Sequence, residues 1–79
     1  MNKDLDFETI YKEYFPRIHR YIKEMIGPFM AEDATQEVFN KVHKGLAGFK
    51  GKSSLSTWIY RIATNTAIDK TRSPAFRHE

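Results

Sequence analysis

The sequence predicts an all-α fold: a compact bundle of three helices, or of four if the first helix breaks at Pro16. Three segments carry apolar residues at steps of three and four, which is the spacing of one face of an α-helix. Joints that contain glycine or proline separate these segments. With 79 residues the chain can bury a single modest core, so we expect one domain.

The first helical segment runs from Asp6, a suitable N-cap, to a stop at Gly27-Pro28. Its predicted core face consists of Phe7, Ile10, Tyr14, Ile18, Ile22 and Met25. Pro16 lies inside this pattern, and an interior proline removes one backbone hydrogen bond. The segment is therefore either a helix that bends at Pro16 or two shorter pieces.

The second segment spans residues 30 to 48 and has two contrasting sides. Its predicted core side consists of Ala31, Thr35, Val38, Phe39, Val42 and Leu46. Polar residues at i, i+4, i+7 and i+11 follow the opposite side, with two more at its edges. This polar stripe comprises Asp33, Gln36, Glu37, Asn40, Lys41 and Lys44. A stripe of this kind is usually a solvated face, and the alternative is a surface that binds a partner.

The third segment opens at Ser53 or Ser54, either of which would cap it, and runs from Leu55 to about Arg72. Its predicted core face consists of Leu55, Ile59, Ile62 and Thr66. About a quarter turn away, a second row combines a large ring, two guanidinium groups and an amide. This third-helix row comprises Trp58, Arg61, Asn65 and Arg72. Residues 73 to 79 contain a proline stop and are expected to form a frayed tail.

The net charge of +3 is distributed unevenly along the chain. Residues 1 to 49 hold seven Lys or Arg against eight Asp or Glu, a net charge of −1. Residues 50 to 72 hold five Lys or Arg against Asp69 alone, a net charge of +4. A basic stretch attracts polyanions such as nucleic acid or an anionic membrane, so the last third of the chain is the part to examine for such a partner.

Several classes of function find no support in the sequence. The absence of cysteine excludes disulfides and thiolate metal sites, and the three histidines have no recognised metal-ligand spacing. Phosphate-binding glycine loops and nucleophile elbows are missing, and nothing would desolvate Asp33 and Glu37 on an open helix face. We therefore expect neither an enzyme nor a cofactor. No apolar run is long enough to span a bilayer and the start lacks the apolar stretch of a signal sequence, so we expect a cytoplasmic protein. No extra apolar stripe is present, so we expect a monomer.

The stretch "FKGKSSLSTWIYRIATN", residues 49 to 65, has the composition of a surface that binds single-stranded nucleic acid. Such surfaces combine cations that follow phosphates with rings on which bases stack. Rings and cations are supplied by Phe49, Trp58, Tyr60, Lys50, Lys52, Arg61, Lys70 and Arg72. Hydroxyl and amide groups that would read base edges are those of Ser53, Ser54, Thr57 and Asn65. The competing interpretation is that Trp58 anchors the core and the serines only cap the helix.

Two motifs, "AEDATQEVFNKV" and "FKGKSSLSTWIYRIATNTAIDKTR", occur together and in this order. In both motifs the sequence resembles region 2 of bacterial RNA polymerase sigma factors of the extracytoplasmic-function (ECF) group. The resemblance covers Phe7 to about Arg72. On this basis residues 1 to 72 are expected to form a region 2 helical bundle, and residues 73 to 79 a tail or the start of a linker.

The resemblance implies two working surfaces. In such proteins the second helix docks on the clamp coiled coil of the polymerase beta-prime subunit, and the matching positions are Asp33, Gln36, Glu37, Asn40 and Lys41. The following loop and the third helix bind the minus-ten promoter element, melt it and hold its non-template strand. The matching positions are residues 49 to 57 of the loop and, on the helix, Trp58, Tyr60, Arg61, Asn65 and Arg72. Melting costs several kcal/mol of stacking and pairing, which capture of the single strand would offset.

The sequence also departs from the family pattern. Complete members carry a second helical domain that reads the minus-thirty-five element, and this sequence has none, so we expect an excised or truncated domain. Gly45 and Ala47 stand where relatives often have charged or larger residues. Two alternatives stay open: a helical module that binds an anti-sigma factor or another protein without specific DNA binding, and a basic amphipathic element on a membrane surface.

Overall fold

The computed structural model describes residues 6–49, 51 and 53–72, and in these it is an all-α, three-helix bundle without strands. Helix α1 is Phe7–Ile26, α2 is Pro28–Gly45 and α3 is Leu55–Thr71, with a short 3-10 turn at Leu46–Gly48 after α2. The predicted fold class is therefore confirmed. Lys50, Lys52 and the predicted tail at 73 to 79 lie outside the described residues.

Helix α1 passes through Pro16 without interruption, so the four-helix alternative is wrong. A proline in this position removes one backbone hydrogen bond, while Ile10 on one side of it and Ile18 and Ile22 on the other are all buried in the same core. Packing on both sides of the proline therefore holds the helix together. At its start, the Asp6 carbonyl accepts from the Ile10 amide at 3.0 Å, which places Asp6 at the predicted N-cap.

The joint between α1 and α2 is a single residue, Gly27. Its φ of 93° lies in the left-handed region that glycine adopts without a steric cost, and its amide donates to the Lys23 carbonyl at 2.8 Å. Pro28 then occupies the first position of α2, where its missing N–H would have no helical partner in any case. The predicted stop is confirmed, but the second helix begins two residues before the predicted Met30.

The core lies between the three helices and follows most of the predicted faces. Its fully buried large side chains include Phe39, Ile10, Ile18, Ile22, Ile59, Val38 and Val42. The prediction of Met25 as a core residue was wrong, because Met25 is 42% exposed and Ile26 is buried instead. On α3 the buried strip also runs along Ala63 and Ala67, and the predicted Leu55 and Ile62 pack only at its margin. A helix that packs against two others buries a wider strip than one row of large apolar residues, and small side chains fit its centre.

The buried polar side chains are satisfied within the fold. The Thr35 hydroxyl donates to the Ala31 carbonyl at 2.7 Å, and the Thr66 hydroxyl accepts from Lys41 Nζ at 3.0 Å. Throughout the described part of the chain, no buried side-chain nitrogen or oxygen lacks a partner. Of the three helices described here, none is both long and apolar enough to cross a membrane.

Candidate docking and nucleic-acid interfaces

The polar stripe lies on the outer side of α2, opposite the core and between α1 and α3. Five of its six residues are exposed and Glu37 is half-buried. Each edge of the stripe is joined to a neighbouring helix. On the α1 side, Gln36 Nε2 donates to the Tyr11 hydroxyl at 3.0 Å, and on the α3 side Lys41 Nζ donates to Thr66.

An ion-pair cluster joins the acidic part of the stripe to the last turn of α3. Lys70 Nζ lies 2.7 Å from Asp33 Oδ2 and 3.2 Å from Glu37 Oε2. The lysine side chain is only 18% exposed, whereas the two acidic side chains are 72% and 46% exposed. The hydrogen bond from Lys70 to Asp33 is the main cause that raises the pKa of Lys70 above its ordinary value of 10.5. Lys70 therefore stays charged at neutral pH and holds both carboxylates.

This cluster corrects one sequence-based interpretation. Lys70 was grouped with the cations that would meet phosphates, but its ammonium group is already paired with two carboxylates of another helix. Lys70 is too far in sequence from Asp33 and Glu37 for any helical spacing to predict these contacts. Tyr11, which bonds Gln36, was missed for the same reason.

The start of α3 is a capped helix N-terminus. Ser54 is the N-cap: its Oγ accepts from the Thr57 amide at 3.1 Å and donates to Thr57 Oγ1 at 2.9 Å. The capping interpretation is thus confirmed for Ser54 rather than Ser53. Before the cap, Gly51 has a φ of 75°, a conformation that side-chain-bearing residues rarely adopt. Ser54 and Thr57 consequently have each other as partners in the unbound domain.

Trp58 belongs partly to the fold and partly to the surface. Its ring is half-buried and packs against Phe49, with ring centroids 4.9 Å apart and planes at 32°. On the side of α2, a Cβ added at Gly45 would lie 3.1 Å from Trp58 Cζ2. Glycine at position 45 therefore gives the indole ring room against the end of α2.

The third-helix row leads away from this ring along the exposed side of α3. Arg61, Asn65 and Arg72 are all exposed, and in the described part of the chain none of their side chains makes a hydrogen bond or ion pair within the domain. Tyr60 lies on a different side of the helix, where its ring meets that of Tyr21 on α1 at 5.0 Å and 79°. Trp58 and the three polar residues thus follow one side of α3, and Tyr60 lies on another side.

Residues 10–76 match the family model of Sigma-70 region 2. The chain belongs to the sigma-70 region 2 family. This confirms the resemblance drawn from the two sequence motifs.

Relatives of this sigma-70 region 2 chain are bacterial sigma factors, several of them named as ECF factors. It is 38% identical over 63 residues to the RNA polymerase sigma factor YlaC of Bacillus subtilis, and the aligned region is 78% of this chain and 36% of YlaC. It is 41% identical over 64 residues to the ECF RNA polymerase sigma factor SigG of Mycobacterium tuberculosis, covering 80% of this chain and 17% of SigG. It is 38% identical over 68 residues to the ECF factor SigW of Bacillus subtilis, and the aligned region is 85% of this chain and 35% of SigW.

The chain therefore spans between about a sixth and about a third of the length of these relatives. Among solved structures, no significant match is found.

Beside the loop, this region 2 domain has an open depression of about 470 Å³ that sequence analysis missed. It is lined by Phe7, His43, Leu46, Ala47 and Phe49. The rings of Phe7 and His43 meet edge to face with centroids 4.7 Å apart. Phe7 was predicted only as a core residue, and no sequence pattern links it to His43 because tertiary packing alone brings the first turn of α1 to the end of α2. The depression is broad, partly aromatic and adjacent to the candidate DNA-binding loop.

Across residues 6–49, 51 and 53–72, no group of three or more His, Asp or Glu side chains is placed to hold a metal ion.

Proposed function

We propose that this region 2 domain acts in transcription initiation by joining RNA polymerase to promoter DNA. In this proposal the polar stripe docks on the clamp coiled coil of the beta-prime subunit, and the loop with the third-helix row binds the minus-ten element. The observation that carries the proposal is the presence of two separate exposed surfaces, one polar with an acidic part and one cationic with a ring, on a chain that belongs to the sigma-70 region 2 family. The domain would act by binding alone, without catalysis or a cofactor.

The ion-pair cluster supports the docking role of the stripe. Lys70 uses Oδ2 of Asp33 and Oε2 of Glu37, so the second oxygen of each carboxylate is left to accept from a basic partner. A carboxylate that is already oriented loses less side-chain freedom when a partner binds. Asn40, which is exposed between the two tethered edges, would add an amide contact. We expect Asp33, Gln36, Glu37, Asn40 and Lys41 to form the polymerase contact as a unit.

The third-helix row supports the DNA-binding role. Arg61 and Arg72 are exposed and would meet phosphates, Asn65 lies between them and would read a base edge, and the partly exposed ring of Trp58 would stack on a base. The depression beside Phe49 would accept a base that leaves the duplex. Capture of the melted strand by these contacts would offset part of the cost of opening a few base pairs. Ser53, Ser54, Thr57, Lys50 and Lys52 are expected to complete the loop contact.

Tyr60 requires a separate contact in this proposal. Because its ring packs on Tyr21 on the α1 side, a base stacked on Trp58 does not reach it. A strand that contacts both rings must pass around the start of α3.

The docking role is tested with the full chain and a purified fragment of the beta-prime clamp coiled coil. The double variant Asp33→Lys, Glu37→Lys reverses the charge of the stripe, and we expect affinity to fall by about a hundredfold or more because like charges then face each other. The matched control is Glu8→Lys, Glu13→Lys, which makes the same charge change at exposed positions of α1. Circular dichroism and thermal unfolding verify that both variants are folded.

A folded double variant that still binds as tightly as the native chain would overturn the docking role of the stripe. Failure of the native chain to bind would favour the alternative, a helical module that engages an anti-sigma factor or another protein. That alternative also predicts no preference among single-stranded oligonucleotides and little dependence on salt, in contrast to phosphate binding.

A further inference from the structure

Phe29 is the most exposed of the three large hydrophobic side chains that lie on the surface of the described residues. It is 92% exposed, against 42% for Met25 and 39% for Ile68. Burial of a phenyl ring is favourable, so the bundle leaves unused an interaction that a partner could use. A single exposed apolar side chain is nevertheless ordinary, and exposure by itself assigns no role to Phe29.

The position of Phe29 on α2 gives its exposure a meaning. Phe29, Asp33, Gln36 and Asn40 follow each other at i, i+4, i+7 and i+11, which places them on one side of the helix. Phe29 therefore stands one turn before the polar stripe and in line with it. It is the second residue of α2, directly after Pro28, whose fixed φ leaves the backbone little freedom there.

The surroundings of Phe29 are acidic. Glu32 and Asp33, at i+3 and i+4, are both exposed on the same part of the helix surface. Asp33 is paired with Lys70 through one oxygen, and Glu32 makes no ion pair within the described part of the chain. Carboxylates repel phosphates, so nucleic acid is a poor occupant. A second copy of the chain is also unfavourable, because a twofold contact through Phe29 would bring Glu32 of one copy towards Glu32 of the other. The complementary surface combines an apolar socket with basic groups around it.

We propose that the polymerase-docking surface extends one helical turn beyond the polar stripe and ends at Phe29, which serves as its apolar anchor. This inference rests on the proposed function, since it assigns Phe29 to the same partner. The phenyl ring inserts into an apolar socket on the clamp, while basic groups at the rim of the socket meet Glu32 and Asp33. Buried aromatic anchors surrounded by polar contacts dominate the affinity of many protein interfaces. The stripe then supplies orientation and charge selection, and Phe29 adds apolar burial to the same contact.

The test compares Phe29→Ser with Met25→Ser in titrations of the full chain with the clamp coiled-coil fragment. Both changes remove an exposed apolar side chain near the joint of α1 and α2, but only the first lies in line with the stripe. We expect Phe29→Ser to weaken binding about tenfold or more and Met25→Ser to leave it unchanged. Thermal unfolding should be unchanged for Phe29→Ser, because a side chain this exposed contributes little to the core.

The outcomes separate this inference from the docking role of the stripe. If Phe29→Ser binds like the native chain while Asp33→Lys, Glu37→Lys does not, the anchor is wrong and docking through the stripe stands. Equal losses of affinity for Phe29→Ser and Met25→Ser would also overturn the anchor, since loss of any exposed apolar side chain near the joint would then explain both results. Absence of binding by the native chain would overturn both proposals. A second copy of the chain is the remaining possible partner of Phe29, and sedimentation equilibrium tests for it. A native dimer that Phe29→Ser converts to a monomer would assign Phe29 to self-association and overturn the proposal.

Discussion

The polar stripe and the third-helix row are both exposed, but the fold holds their side chains to different degrees. In the stripe, Asp33 and Glu37 are held by Lys70, while Gln36 and Lys41 bond to α1 and α3 respectively. In the described part of the row, only Trp58 is held by packing, against Phe49 and the end of α2.

This difference has consequences for binding. A surface whose side chains are already oriented loses little conformational entropy when a partner docks, whereas free arginine side chains lose more. Under the proposed function, the stripe would dock on a protein of fixed shape, and the row would hold a flexible strand whose phosphates can be met from several rotamers. The unbound domain would then be better prepared for protein docking than for DNA binding. Four predictions test this contrast, from the largest expected effect to the smallest.

Replacement of Trp58 tests the one firmly packed member of the row. We expect Trp58→Ala to lower the free energy of unfolding by about 2 kcal/mol, because the half-buried indole leaves a gap beside Phe49 and Gly45. Trp58→Phe, which keeps a ring, should lose less than half of this. Urea unfolding followed by circular dichroism measures both. If Trp58→Ala is as stable as the native chain, packing of the ring does not stabilise the fold. Trp58 would then be no more firmly held than the rest of the row.

Removal of the exposed arginines tests the free part of the row. Arg61→Ala and Arg72→Ala should each reduce the salt dependence of binding to a single-stranded minus-ten oligonucleotide, by about 0.7 in the slope of log K against log salt. Neither should change stability beyond about 0.5 kcal/mol, since neither side chain is packed. Arg20→Ala, an exposed arginine on α1, is the matched control. An unchanged slope in both row variants would show that these arginines meet no phosphates.

Asn65 tests whether the row reads sequence. Asn65→Ala should weaken binding to the minus-ten oligonucleotide by about threefold to tenfold more than binding to a scrambled one, because an amide that pairs with a base edge, as a donor and an acceptor, distinguishes one base from another. Fluorescence anisotropy with the two labelled oligonucleotides measures this. Equal losses on both would restrict the row to nonspecific contacts.

Replacement of Lys70 tests the connection that holds the stripe. Lys70→Met should lower the free energy of unfolding by about 0.5 to 1 kcal/mol at pH 7, as expected for a pair whose acidic partners are largely exposed. Lys44→Met, which changes an exposed lysine of the same stripe, serves as the control.

The same pair has a defined pH dependence. Because the pKa of Lys70 is raised in the folded state, its stabilising contribution is complete below pH 10.5 and is lost as the pH rises through the raised pKa. The difference in stability between the native chain and Lys70→Met should therefore be constant from pH 7 to about 10 and shrink above it. A difference that already vanishes near neutral pH would contradict the pairing.

Much of the fold follows from local patterns in the sequence. The period of the apolar residues predicted all three helices, Gly27 and Pro28 marked the first joint, and the two serines at 53 and 54 marked the start of α3, which the structure places at Ser54. The errors came from packing. Met25 fits the helical period as well as Ile26 does, and which of them is buried depends on where α2 leaves the joint. Likewise, continuity at Pro16 depends on the core contacts of its neighbours.

The sequence by itself determined the family, the three helices, the polar side of α2 and the exposed polar side of α3, because each of these depends on residue types at short spacing. Only the tertiary structure decided that Lys70 holds Asp33 and Glu37, that Trp58 lies over Gly45, that Tyr60 packs on Tyr21, and that Phe7 and His43 share one depression. These contacts join residues that are far apart in sequence. The packing of the helices against each other brings them together, and no periodic pattern predicts it.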